Sequence, residues 1–464
     1  MSRPDLRGTG DGGAGPSEQL LWGWARTSPS RAVVHSPTEE DGVRSLVRDA
    51  DSTGVIARGL GRSYGDAAQN AGGAVLDGPA RSGLVDLDLH TGIARILAGT
   101  SLDDLMRWLV PLGWFVPVTP GTRMVTVGGA IASDIHGKNH HRKGSWCDHV
   151  LSMRLVDGAG EVREISPQDD PDLFWATCGG MGLTGIIVDA TVQLQAVESS
   201  KLLVDTDRAT DLDDVMSLMV EGDDAYDYSV AWIDVMAKGR HLGRSVLDRG
   251  RFATRAEVQG SGIARPSDYS THMLPSPPDV LPSGLINKLT ARAFNEVWYR
   301  KSPVRRRDAL MGIEQFFHPL DMVSEWNRVY GRRGFLQWQY VVPDEAGDFV
   351  RSSLERIAAA GLPSFLAVLK RMGSSNPGHL SFPMSGWTLA FDAPVATGMA
   401  DLFDELDREV VDWGGRLYLA KDSRLDPDLL PKMYPRVDEW RAIRDRVDPD
   451  RRFRSDLGRR LGLV

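Results

Sequence analysis

The chain has 464 residues, 42% hydrophobic and 25% charged, a globular balance that excludes a disordered tail protein or a collagenous fibre. Its 54 basic and 63 acidic residues leave a formal net charge of −9, which argues against bulk nucleic-acid binding, so no nucleic-acid partner is expected. Two cysteines, Cys147 and Cys178, form neither a disulfide framework nor a zinc site by themselves, and at roughly 150 residues per domain two or three domains are expected.

Residues 1–19, rich in Gly, Ser, Asp and Arg, read as a disordered leader that lacks the apolar core of a secretory signal. No stretch approaches the roughly 20 apolar residues of a membrane-spanning helix. The pattern predicts a helix over 42–50, short strands at 55–57, 75–76 and 93–97, and a helix over 102–109 with Ser101 as its N-cap. A glycine-rich stretch follows at 120–144. Residues 150–165 read as a hairpin turning at Asp157-Gly158-Ala159-Gly160, 172–176 as a short helix and 186–194 as a strand. Beyond about Val197 glycine thins out. Strands are expected at 226–235, 334–342 and 364–370, and amphipathic helices over 348–360 and 399–413. The Pro-, Ser- and Gly-rich segment 260–303 reads as a long mobile loop. Arg300, Lys301, Arg305, Arg306 and Arg307, after Trp298 and Tyr299, read as a charged loop or as a patch that attracts anionic lipid.

Arg58-Gly59-Leu60-Gly61-Arg62-Ser63-Tyr64-Gly65-Asp66 directly follows the strand at 55–57. Closely spaced glycines let the backbone turn sharply and aim several N–H groups at one point, an arrangement that cradles a pyrophosphate. A nicotinamide-type Rossmann loop also needs a helix opening within it, and 66–73 does not read as one. Pro120-Gly121-Thr122 and Thr126-Val127-Gly128-Gly129-Ala130 form a second small-residue run, with hydroxyls at Thr122 and Thr126; Gly179 to Ile187 is a third. Three such loops before the middle of the chain point to a large, extended cofactor touched along its length. His136, His140, His141 and His149 do not make a metal site, because Gly137 opposes a helix there and no carboxylate accompanies the pair, so no metal is expected.

These loops, the His136-Gly137 step, and Asp448-Pro449 with Phe453 resemble the vanillyl-alcohol-oxidase type of FAD-binding fold. Within it, residues 58–66, 128–141 and Tyr418-Leu419-Ala420-Lys421-Asp422-Ser423-Arg424 are similar to the actinobacterial family of oxidase subunits of decaprenylphosphoryl-β-D-ribose 2′-epimerases, from about Leu21 onward. The resemblance implies an α+β, two-domain fold. An FAD-binding (PCMH-type) domain is expected over 20–197 and 415–464, and a sheet-based substrate domain over 198–414. It implies FAD bound non-covalently by Ala57, Arg58, Gly59, Leu60, Gly61, Arg62, Ser63, Tyr64, Gly65, Asp66, Ala67, Gly121, Thr126, Val127, Gly128, Gly129, His136, Gly137, Lys138, Asn139, Ile187 and Tyr418. Substrate positions carry over onto Lys138, Trp232, Gln337, Gln339, Lys370 and Lys421, and catalytic roles onto Lys421, Tyr64 and His136.

The implied reaction is oxidation of the 2′-hydroxyl of a polyprenylphosphoryl ribose. An NADH-dependent keto-reductase subunit then completes an epimerisation that supplies arabinose for cell-wall arabinan. Peripheral membrane contact is implied, with placement in the cytoplasm by sequence or in the cell envelope by pathway. A sugar-alcohol or aldonolactone oxidase on the same fold, and a non-catalytic lipid-phosphate binder, are the alternatives. A lysine desolvated beside a flavin can serve as the base, and Asp422-Ser423 favours a turn that aims both Tyr418 and Lys421 into the pocket. Lys138 and Lys370 suit phosphate or hydroxyl binding. Two positions depart from the mycobacterial pattern: Ala390 replaces the cysteine that covalent inhibitors attack, and Phe317 replaces a tyrosine.

Overall fold

Ser17–Leu21 is a strand in the computed structural model, which describes residues 15–464; the leader read over 1–19 therefore ends earlier than expected, and its first 14 residues lie outside the described residues. This strand pairs antiparallel with Ser30–His35. Ala74–Asp77 and Val55–Arg58 add to it in parallel, giving a four-stranded sheet. Between the parallel strands runs the helix Glu40–Arg48, which buries Val43 and Val47, four residues apart on one face. A five-stranded antiparallel sheet holds Leu84–Leu87, Ile93–Leu97, Ile186–Gln193, Val150–Val156 and Val162–Ile165 in that spatial order. Helix Leu102–Leu109 starts as predicted, because Ser101 Oγ accepts from the Asp104 N–H at 3.0 Å.

The glycine-rich stretch 120–144 is not all loop. Val127–Ala132 and His140–Lys143 are short helices, the first capped by Thr126 Oγ1, which accepts from the Gly129 N–H at 3.2 Å. The chain end returns to this part. The Val55 N–H donates to the Arg452 carbonyl at 2.7 Å. Trp440, in the helix Val437–Val447, donates through Nε1 to the Ala176 carbonyl at 2.9 Å.

An eight-stranded antiparallel sheet takes, in spatial order, Arg305–Gly312, Lys201–Ala209, Ser245–Phe252, Tyr228–Ile233, Ala367–Met372, Gly386–Pro394, Phe335–Val342 and Arg416–Leu417. Arg416–Leu417 is thus an edge strand here, although the boundary at 415 assigns it to the cofactor part. Lys201–Ala209 and Ser245–Phe252 escape the sequence pattern because they carry charges inside the sheet; Arg249 Nη2 reaches Asp207 Oδ2 across the pair at 2.8 Å.

The segment 260–303 is not one mobile loop. Its Pro and Gly residues stop at Gly284 and resume only at Pro303, and between them Lys288–Lys301 is a helix. Asn287 Oδ1 caps it, accepting from the Leu289 and Thr290 N–H groups at 2.9 and 3.1 Å. Arg300 and Lys301 end this helix, and Arg305, Arg306 and Arg307 open an edge strand, so the basic run is not a loop either.

Strand alternation divides the large sheet into two faces. Trp338 and Tyr340 meet Phe403 and Phe349 of the helices Met399–Asp412 and Gly347–Ala360, with ring centroids 5.3 and 5.2 Å apart. Gln337 and Gln339 point the other way. The register sets Gln337 beside Asp392, Gln339 beside Ala390, and Val368 beside both Ala390 and Trp232, so these side chains share one face with Lys370. A one-residue slip would exchange this polar set for the core.

Candidate active site

Between that polar face and the glycine loops lies a cavity of about 910 Å³, large even against the roughly 300–1,000 Å³ of small-molecule sites. It is lined by Ala57, Arg58, Gly59, Leu60, Gly61, Arg62, Ser63, Tyr64 and Ala67, then by Gly121, Thr126, Gly128, Gly129, His136, Gly137, Lys138, Ile187 and Tyr418. Trp232, Gln337, Gln339, Lys370 and Lys421 line it from the sheet side, as do Ala390 and Phe317.

Four expected cofactor contacts do not line the cavity. Gly65 lies against the backbone carbonyl of Asp422, where a Cβ would collide. Asp66 pairs with Arg460 at 2.8 Å, Val127 is in the core, and Asn139 donates to the Pro117 carbonyl at 2.9 Å. These residues hold the loops in place.

The first loop is bent at Gly61, whose φ of +65° favours glycine. Arg58 braces it, donating to the carbonyls of Ala68 and Trp22 at 3.0 and 2.8 Å, so its guanidinium is committed within the chain. Arg62 stacks 3.7 Å from the Trp24 ring centroid. The backbone N–H groups of Gly59, Leu60, Gly61, Arg62 and Ser63 have no acceptor among the described residues. Five consecutive free donors on a cavity wall suit the diphosphate of FAD. Buried His136 Nδ1 also lacks a partner. The residues present therefore fit this cofactor. The Thr122 hydroxyl is not free for it, since it donates to Asp321 Oδ1 at 2.8 Å, whereas Thr126 Oγ1 accepts from the Gly129 N–H and keeps its O–H available to a ligand.

The segment after Tyr418 turns as expected. The N–H groups of Lys421 and Asp422 donate to the Tyr418 carbonyl at 2.9 and 3.1 Å, and both Tyr418 and Lys421 face the cavity. Lys421 Nζ sits 3.7 Å from the Tyr64 ring centroid. Gln337 Nε2 lies 3.3 Å from the Tyr64 hydroxyl and 2.5 Å from Asp392 Oδ1. Asp392, which is 0% exposed, was not among the expected site residues. Its signal was alternation: Thr388, Ala390 and Asp392 share the cavity face while Leu389 and Phe391 face the core.

Burial pulls the Lys421 ammonium well below its ordinary range, helped by Lys370 and opposed by Asp392; burial pushes Asp392 upward. The Tyr64 phenol is raised by burial and by Asp392, so it stays protonated. His136 is lowered by burial and by the nearby amines. Its Nε2 accepts from Gln339 Nε2 at 2.9 Å, which places the ring proton on Nδ1. Of the three expected catalytic groups, Lys421 is the one whose environment favours an uncharged proton acceptor. Lys138 and Lys370 are both brought down to about 8, mainly by burial. Lys138 donates to the Phe316 carbonyl and lies over the Phe316 ring at 4.3 Å. The other loop histidines have backbone partners: His140 Nδ1 accepts from the Gly373 N–H at 3.1 Å, and His149 Nε2 meets the Lys143 carbonyl at 2.9 Å.

Residues 31–166 match the FAD binding domain family, and residues 390–461 match the D-arabinono-1,4-lactone oxidase family. The first match spans the two leading glycine loops, and the second spans Asp392 and Lys421. Fold and site thus define an FAD-dependent oxidoreductase with two-part α+β architecture. The chain is 47% identical to the decaprenylphosphoryl-β-D-ribose oxidase of Mycolicibacterium smegmatis, over 96% of this chain and 97% of that one. It is 23% identical to the L-gulono-1,4-lactone dehydrogenase of Mycobacterium tuberculosis, over 96% and 97% of the two chains. It is 30% identical to cytokinin dehydrogenase 5 of Oryza sativa over 36% and 34%. The chain belongs to the decaprenylphosphoryl-β-D-ribose oxidase family.

Proposed function

We propose that this enzyme oxidises the 2′-hydroxyl of a polyprenylphosphoryl-β-D-ribose to the ketone. The observation that carries the reading is the placement of Lys421 against Tyr64, beside Gln337 and Asp392, in a cavity that the glycine loops also line. Bound FAD supplies a two-electron acceptor for the hydride that leaves the carbinol carbon. Lys421, uncharged through burial, takes the hydroxyl proton as the carbonyl forms. Gln337 fixes the Tyr64 hydroxyl and the Asp392 carboxylate, and Gln339 holds the His136 ring through Nε2. Lys370 and Lys138 supply positive charge for the substrate phosphate.

The lactone oxidase match favours a second reading, a sugar-lactone or sugar-alcohol oxidase. Lys138 and Lys370, both deep in the cavity, weigh against it, because an uncharged lactone gives neither an anionic partner whereas a phosphodiester does. An anaerobic titration decides: a short-chain prenylphosphoryl ribose should bleach the flavin band while L-gulono-1,4-lactone and free alditols do not, and the reverse pattern overturns the proposal.

The keto product calls for an NADH-dependent reductase as partner, which would return the hydride to the opposite face and yield an arabinose donor for cell-wall arabinan. No helix among the described residues is long and apolar enough to cross a membrane.

A further inference from the structure

The helix Lys288–Lys301 turns apolar side chains outward. Leu289 is 78% exposed, Val297 64%, Phe294 45% and Trp298 42%, and Phe294 and Trp298 stack with planes 9° apart. Ala291 and Asn295 face inward instead, and Asn295 Nδ2 donates to Asp234 Oδ1 at 2.8 Å and to the Ser364 carbonyl at 3.0 Å. A surface helix of a soluble domain shows the opposite pattern. Large apolar side chains grouped on the solvent side mark a contact surface.

Charge narrows the choice of contact. The helix carries Lys288, Arg292, Arg300 and Lys301 against Glu296, which Arg244 holds at 2.7 Å. On a chain of net charge −9 this is a local basic strip. A second copy of the chain, docked symmetrically, would set this strip against itself. Position narrows it again: Phe294, Trp298 and Lys301 are exposed yet also line the cavity, so the face borders the mouth of the active site.

We infer that this helix docks in the plane of an anionic bilayer, with Leu289, Val297, Phe294 and Trp298 in the headgroup–acyl boundary and the basic side chains among the phosphates. The inference rests on the lipid-linked substrate proposed above. A face that sits in the bilayer beside the cavity mouth lets the sugar phosphate enter while the prenyl chain stays in lipid.

The test uses the full-length holoenzyme and vesicles of equal parts phosphatidylglycerol and phosphatidylcholine, read by co-sedimentation. The wild type should partition to these vesicles, less to pure phosphatidylcholine and less at high salt. The double variant Leu289→Asp/Val297→Asp changes two side chains that do not line the cavity. It should lose at least about tenfold in partitioning, while reducing its flavin with a soluble short-chain prenylphosphoryl ribose at the wild-type rate. Equal partitioning of variant and wild type overturns the inference. So does a wild-type dimer that the variant breaks while neither binds vesicles, which would assign the face to a second copy. Flavin reduction by the soluble substrate reports on the proposed reaction independently of docking.

Discussion

Lys421→Met tests the chemistry most directly. Methionine keeps an unbranched apolar stem but removes the amine that sits over the Tyr64 ring. An ordinary lysine is uncharged in only about one molecule in 10³ at neutral pH, which would make it a poor base. Burial of Lys421 pulls its pKa down far enough to recover most of that factor. A positioned general base contributes 10²–10⁴-fold, or roughly 3–5 kcal/mol of barrier. Anaerobic stopped-flow measurement of flavin reduction should therefore show a loss of at least about 10² in the variant. The wild-type rate should rise with pH as the Lys421–Asp392 pair loses its proton, and the variant should lose that limb. Stability separates catalysis from folding. A lysine whose folded pKa is depressed costs stability wherever the unfolded chain is protonated, increasingly as pH falls from the ordinary lysine value toward the folded one. The variant should thus be no less stable than the wild type at pH 8, and it should retain FAD. A near wild-type rate would pass the base role to Tyr64, and loss of FAD would make Lys421 structural.

Three further outcomes are expected. Asp392→Asn removes the charge that holds Lys421 up, so the acid limb of the pH–rate profile should move to lower pH; an unmoved limb would uncouple the two groups. Gly65→Ala drives a Cβ into the Asp422 carbonyl, and a cost of about 1–3 kcal/mol in urea unfolding, with weakened FAD retention, is expected. Acid precipitation of the holoenzyme should leave all the flavin in the supernatant, and yellow colour in the pellet would reveal a covalent bond.

What the sequence shows and what it hides divide along physical lines. Local rules were legible where one element satisfies itself. Ser101 caps its own helix, Asp157-Gly158-Ala159-Gly160 turns its own hairpin, and the Lys421 and Asp422 N–H groups, donating to the Tyr418 carbonyl, close the turn that aims Lys421. The helix Lys288–Lys301 was hidden because flanking Pro and Gly residues dominate any average over the segment, although the run between Gly284 and Pro303 contains neither.

The missed strands have a different cause. Lys201–Ala209, Ser245–Phe252 and Gly386–Pro394 contribute Thr206, Asp248 and Ala390 to the cavity and Asp392 to the cluster beside it. A strand whose one face builds a polar site cannot also show clean apolar alternation. The residues that make the site are therefore the ones that blur the signal for the strands carrying them. The glycine loops failed in a subtler way. Gly59 to Ser63 keep free N–H groups, whereas Gly65 and Asp66, in the same motif, are taken up by Asp422 and Arg460 from the far end of the chain. Spacing alone identifies the loop. Which of its residues face a ligand is decided by partners that only the fold brings near.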